Sequence, residues 1–246
     1  GGSYQIMSTT PRNVSDQTDL AEFIRDQGPH CLIVARHGET EWNVERRLQG
    51  QQDIPLNSRG RSQALAMARL LRSIPLIQVH SSTLRRCQQT AGPIAEANIG
   101  RLNVVSSDLL KETSLGVLEG ELTGRQSTAE LTRHYQDFSR DEIHYRVPDG
   151  ENLHDVAARV QRFFVDQDEL LKGPGIHLIV GHRNMNKMIL KSLLGLSFEE
   201  GWRVEQEHQR LYLYFDASKE LWSCWVEGTA ARLTRGYATT MDNSYA

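Results

Sequence analysis

The chain has 246 residues, 39% of them hydrophobic and 24% charged, enough for one large self-supporting domain without a disulfide or metal staple. Its formal charge of -3 gives no electrostatic reason to expect nucleic acid or an acidic membrane as partner, although a local basic pocket for a small anion is compatible with it. The three cysteines, Cys31, Cys87 and Cys224, are too few and too far apart for a disulfide framework or a zinc cluster, and no apolar run approaches the ~20 residues of a membrane span.

Residues 1–6 precede Met7, lack the basic start and apolar centre of a signal peptide, and read as vector-encoded, so a cytoplasmic location is the default expectation. The polar stretch over 8–29 reads as an arm or a short helix over 19–26. Cys31-Leu32-Ile33-Val34-Ala35 is a continuous apolar run of the kind buried on both faces of a parallel sheet, and it leads directly into Arg36-His37-Gly38. An apolar stripe predicts a helix over 62–73. A strand over 76–80 follows, and Ser81-Ser82-Thr83 offers caps for a helix reaching residue 97. A short strand is expected over 102–105, and helices over 126–139 and 153–171. A buried strand over 176–180 runs into Gly181-His182 and a helix over 185–194. Residues 211–215 and 221–226 read as a hairpin.

Strands alternating with helices predict a three-layer α/β/α sandwich around a mostly parallel sheet. The expected organisation is an arm (1–29), one domain (30–228) with a helical cap over about 113–150, and a tail (229–246) without clear period. In such sheets ligands bind beyond the carboxyl ends of the strands. His37 and His182 each stand just past such an end. Arg36 can grip an oxyanion in a bidentate fork, and Gly38 allows close backbone approach. The helix start after His182 can present N–H groups to an anion. Arg86 and Glu112 each follow a strand and can project over the same sheet edge.

In this order the motifs resemble the histidine phosphatase superfamily, also called phosphoglycerate mutase-like, over roughly residues 31–227. Arg36-His37-Gly38-Glu39-Thr40-Glu41-Trp42-Asn43 is similar to the family's signature segment. Leu48-Gln49-Gly50 and Asp53-Ile54-Pro55-Leu56 are similar to the loop after it. Ser82-Thr83-Leu84-Arg85-Arg86 with Thr90 matches a second arginine motif whose register selects Arg86. Glu112 with Gly116 and Glu119-Gly120 matches the acid motif, and Gly181-His182 the second histidine motif.

The resemblance implies that His37 is the nucleophile, forming a phosphohistidine, and that Glu112 is the general acid and base. It places Arg36, Arg86 and His182 around the phosphoryl oxygens, with Asn43 and Gln49, next to Gly50, completing the cradle. It implies a small phosphate monoester, a phosphosugar or related metabolite, as substrate, with no cofactor and no metal; a homodimer is allowed. Phosphoryl transfer suits these residue types, because charge spread over the equatorial oxygens is stabilised by fixed cations.

The sequence departs from the family pattern after the second histidine, where Arg183 stands in place of a small residue, and it has Asn152 where serine is frequent. Arg183 either faces solvent or meets a second anionic group of the substrate. In the cap, Tyr145 and Arg146 are the candidate substrate contacts. Phosphoglycerate mutase is the nearest rival activity, but Leu115-Gly116-Val117-Leu118-Glu119-Gly120 lacks the tyrosine-led stretch of the cofactor-dependent mutases. A catalytically silent binding member of the fold is the other alternative.

Overall fold

The computed structural model describes residues 12–14 and 17–239, with side chains from residue 19 onward; the vector-like residues 1–6 lie outside this range. Eight strands form one mixed sheet: β1 (Arg12–Val14), β2 (His30–Arg36), β3 (Leu76–Ser82), β4 (Val104–Ser107), β5 (Gly175–Gly181), β6 (Arg210–Phe215), β7 (Glu220–Glu227) and β8 (Ala230–Arg235). Their spatial order is β1-β8-β7-β6-β2-β5-β3-β4. The parallel part predicted from the sequence is β2-β5-β3-β4, and it carries the candidate site. The other half is antiparallel, because β6, β7 and β8 are joined by short hairpin turns that permit no crossover.

The helices are α1 (Gln17–Asp26), α2 (Glu41–Glu45), α3 (Ser58–Leu71), α4 (Arg85–Ala97), α5 (Ala129–Arg140), α6 (Leu153–Asp166), α7 (Glu169–Lys172), α8 (Arg183–Leu194) and α9 (Phe198–Trp202). On one face of the sheet Leu20, Ile24, Met67, Leu71, Ala91 and Ile94 from α1, α3 and α4 cover Cys31, Ile33 and Ala35 of β2. On the other face Val156, Val160, Phe163 and Ile189 from α6 and α8 cover Leu32 and Val34. Alternate side chains of one strand thus feed two cores, which is why its sequence is apolar throughout. This is the three-layer sandwich. A third, smaller cluster of Leu48, Leu115, Leu118, Phe138 and Val147 seats the cap helix α5.

Two expectations need correction. Residues 230–235 are a strand, not part of a tail: Ala231 and Leu233 point into the core while Ala230 and Arg232 face outward, and β8 pairs with β7 on one side and β1 on the other. Six residues are too short for the alternation to stand out between polar neighbours. Second, β3 continues through Ser82, and α4 begins after Leu84 without a side-chain cap. The expected capping serines have other work. Asn152, by contrast, caps α6 in a reciprocal box with Asp155.

Candidate active site

The position of the site follows from strand register. In the parallel pair β2 and β5, Arg36 lies opposite Gly181, and the His37 N–H extends the ladder to the Gly181 carbonyl at 3.1 Å. The next residue of each strand is a histidine, so His37 and His182 emerge side by side, their rings 5.2 Å apart and inclined by 61°. Both are buried.

The His37 ring is oriented by its own loop. Nδ1 lies 2.6 Å from the Gly38 carbonyl, which can only accept, so Nδ1 carries the proton and Nε2 keeps the lone pair. Burial, then the charges of Arg86, His182 and Arg36, hold the imidazole well below its ordinary value of 6.5, so it is neutral. The loop is packed tightly: a Cβ on Gly38 would sit 2.4 Å from the Gly60 carbonyl, and the Gly38 N–H donates to Thr90 Oγ1 at 3.0 Å.

Two arginines flank this ring, each anchored by main-chain carbonyls. Arg36 Nη1 donates to Gln206 O at 2.9 Å; Arg86 Nη1 and Nη2 donate to Gln52 O and Gly50 O at 2.6 and 2.7 Å. The Nε–H of each is buried and meets no acceptor among the described residues, the condition an oxyanion would relieve. Gly50 adopts φ +54, and a Cβ there would overlap Glu119 Oε2, the carboxylate that accepts the Gln51 and Leu115 N–H groups and fixes the loop. On the neighbouring loop, the Thr40 N–H donates to Asn43 Oδ1 at 2.9 Å and Thr40 Oγ1 donates to Gln49 Oε1 at 2.8 Å. With both amide oxygens engaged, the amide nitrogens of Asn43 and Gln49 remain as donors.

Glu112 reaches the same place from the loop after β4. Its carboxylate accepts the N–H groups of Thr113 at 2.9 Å, Asn184 at 3.1 Å and Met185 at 3.2 Å. The N–H groups expected to face an anion at the start of α8 therefore face Glu112, which caps a helix whose own N-cap, His182, gives no side-chain bond. Arg159 holds the acid loop from behind, donating to the carbonyls of Leu109, Lys111 and Glu112 and in a fork to Glu151.

Arg36, His37, Asn43, Gln49, Gly50, Arg86, Glu112 and Arg183 line one cleft, together with Arg46, Arg47, Thr113, Leu115, Thr123 and Asn184. Arg183 is buried in its wall and does not extend to solvent. His182 sits directly beneath, its Nε2 2.9 Å from Ser82 Oγ, which also accepts the Leu84 N–H. Tyr145 and Arg146 are elsewhere. Tyr145 packs on the cap cluster with its hydroxyl 2.9 Å from His134 Nδ1, and Arg146 is exposed and forks onto Asp155 at 2.8 and 2.9 Å. A carboxylate three residues into α6 holds Arg146 against that helix and away from the cleft.

Sequence reasoning missed His208, Gln206, Ser82 and Arg159. His208 Nδ1 donates to the His37 carbonyl at 2.7 Å, and its ring lies 5.4 Å from that of His37. Each acts across more than 40 positions of sequence, so no local pattern announces it; for Ser82 alone the nearby motif was a usable signal.

With this geometry described, comparison with known proteins is informative. The sequence profile of the histidine phosphatase superfamily (branch 1) matches residues 32–224. The chain belongs to this superfamily. It is 34% identical over 169 residues to the probable phosphoglycerate mutase GpmB of Enterobacter sp. strain 638, covering 67% of this chain and 75% of that one. It is 30% identical over 216 residues to the protein of the same name from Salmonella arizonae, covering 86% and 97%. Among solved structures, a mycobacterial glucosyl-3-phosphoglycerate phosphatase bound to VO3 superposes with TM-score 0.65 at 26% identity, covering 85% of this chain and 100% of that one. An Escherichia coli protein described as a putative alpha-ribazole-5'-P phosphatase has TM-score 0.67 at 24% identity, covering 89% and 99%, and supports the fold. Superfamily and neighbours make the chain a phosphoryl-transfer enzyme. Among the described residues no helix is long and apolar enough to cross a membrane.

Proposed function

We propose that the protein is a phosphatase that hydrolyses a small phosphate monoester through a phosphohistidine on His37. The observation that carries this reading is the neutral His37 ring with Nδ1–H committed to Gly38 O, in a cleft it shares with Arg36, Arg86 and Glu112. In the first step the Nε2 lone pair attacks phosphorus, the bond to the leaving oxygen breaks, and a proton on Glu112 passes to that oxygen. In the second, water attacks phosphorus, the P–N bond breaks, and Glu112 takes the water proton. Phosphate leaves, and both groups return to their starting states. Arg36, Arg86 and His182, with the amide nitrogens of Asn43 and Gln49, stabilise the transferring oxygens without rearrangement, because their anchors are already made.

The test is a panel of phosphate esters, with acid-quench trapping of phosphohistidine and His37→Ala as control; unchanged hydrolysis by that variant rules the mechanism out. The relatives named probable phosphoglycerate mutase support a second reading, in which an alcohol oxygen attacks the phosphohistidine phosphorus, the P–N bond breaks and the phosphoryl group passes to that alcohol. Phosphate release against conversion of 3- to 2-phosphoglycerate separates the two.

A further inference from the structure

The nucleophile leans on the least constrained kind of residue. The carbonyl that accepts the His37 Nδ1–H belongs to Gly38, which has no side chain to restrict its rotation. None can be added, because a Cβ there would meet the Gly60 carbonyl oxygen at 2.4 Å. The constraint has to come from outside, through the two peptide groups that flank Gly38.

Both are held by side chains from other elements. The peptide from Gly38 to Glu39 carries the accepting carbonyl, and its N–H, on Glu39, donates to Gln63 Oε1 of α3 at 2.8 Å. The peptide from His37 to Gly38 is gripped at both ends. Its N–H donates at 3.0 Å to Thr90 Oγ1 of α4, whose own hydroxyl proton is committed to the Arg86 carbonyl at 2.8 Å. Its carbonyl accepts the Nδ1–H of His208 at 2.7 Å. His208 arrives there by register: Ala35 pairs with Leu211 in the antiparallel pair β2 and β6, and the same register carried past the strand ends brings His208 alongside Gly38. Burial, then the charge of Arg36, holds the His208 ring well below its ordinary value of 6.5. It therefore grips the carbonyl as a neutral donor, and adds no positive charge beside the His37 ring 5.4 Å away. Gln63 and His208 line a second cavity, with Met67 and Trp225, that shares no residue with the phosphoryl cleft. They act on the loop without lining the space an ester occupies.

Resting on the reading of His37 as the phosphatase nucleophile, we infer that His208 is a positioning residue for it: its bond to the His37 carbonyl fixes the His37–Gly38 peptide, aims the Gly38 carbonyl at Nδ1 and so keeps the lone pair on Nε2. Once that peptide is released, Gly38 turns, its carbonyl leaves the line of Nδ1, and the ring proton is free to move to Nε2, where it blocks attack on phosphorus.

The test combines turnover of a phosphate ester with the 15N-edited NMR spectrum of the His37 ring, whose Nδ1–H signal is identified by its loss in His37→Ala. The wild type is expected to show a single Nδ1–H tautomer. His208→Leu, which fills the space without a donor, is expected to mix the two tautomers and to lower kcat by about 10- to 100-fold, the scale of an ångström of misplacement. Inhibition by inorganic phosphate is expected to stay at the wild-type level, because Arg36 and Arg86 keep their main-chain anchors. His208→Asn, whose amide nitrogen stands as many bonds from Cα as Nδ1 does, is expected to restore the single tautomer and most of kcat. A wild-type tautomer in His208→Leu overturns the inference, as does an Asn variant no better than the Leu variant. A loss of phosphate binding as large as the loss in kcat marks a general loosening of the cleft and overturns it too. If the wild type hydrolyses no ester, the phosphatase reading fails, and the His37 tautomer in the two variants decides for His208 by itself.

Discussion

Glu112 is asked to do two things at once, and substitution separates them. It caps α8 through the N–H groups of Asn184 and Met185 and holds its own loop through Thr113, all from a buried position. Glu112→Ala orphans these donors. Each costs ~1–3 kcal/mol if left dry, but water entering the cleft re-solvates part of them. A net loss of about 2–3 kcal/mol is expected, which for a chain of this size lowers Tm by about 4–12 °C. Glu112→Gln keeps one acceptor oxygen and is expected to lose about 1 kcal/mol, the scale of a helix cap. The chemistry responds differently, because neither variant can protonate a leaving oxygen. In kcat/KM, which reports the first half-reaction, an alkyl phosphate is expected to lose about 10²–10⁴-fold in both variants. An aryl phosphate whose leaving group needs no proton is expected to lose far less. Thermal unfolding and the two esters are measured side by side. An equal loss on both esters refutes the role as acid, and an unchanged Tm in Glu112→Ala refutes the role as cap.

Three further outcomes are expected. Because burial and neighbouring cations lower His37, its ring stays neutral as pH falls through 6.5, so a side-chain NMR titration should show no protonation of His37 near that value; a midpoint at 6.5 would contradict the electrostatics. His80, buried on β3 and lowered from 6.5 to about 4 by burial and then by His177, takes up its proton in the unfolded chain first. Stability is therefore full above pH 6.5 and should fall by up to about 3 kcal/mol as pH drops toward 4, a slope that urea titrations should find flattened in His80→Gln. Arg146→Ala removes an exposed pair with Asp155, outside the cleft; kcat/KM should remain at the wild-type value, and a clear loss would return Arg146 to the list of substrate contacts.

The sequence by itself determined the layers and the identity of the reacting groups. Apolar runs such as Cys31–Ala35 and 176–180 are long enough to mark strands buried on both faces, and the motifs after them name His37, Arg86, Glu112 and His182 through resemblance. These are local signals, written in consecutive residues. Tertiary structure decided the rest, because register and long-range contact leave no local trace. The pairing of Arg36 with Gly181 sets the two histidines side by side. The meeting of Glu112 with the start of α8 turns an exposed-looking loop carboxylate into a cap beside the nucleophile. The same packing buries Arg183 in the cleft wall, while Asp155 holds Arg146 outside it. An arginine reads alike in either place until the fold supplies its anion.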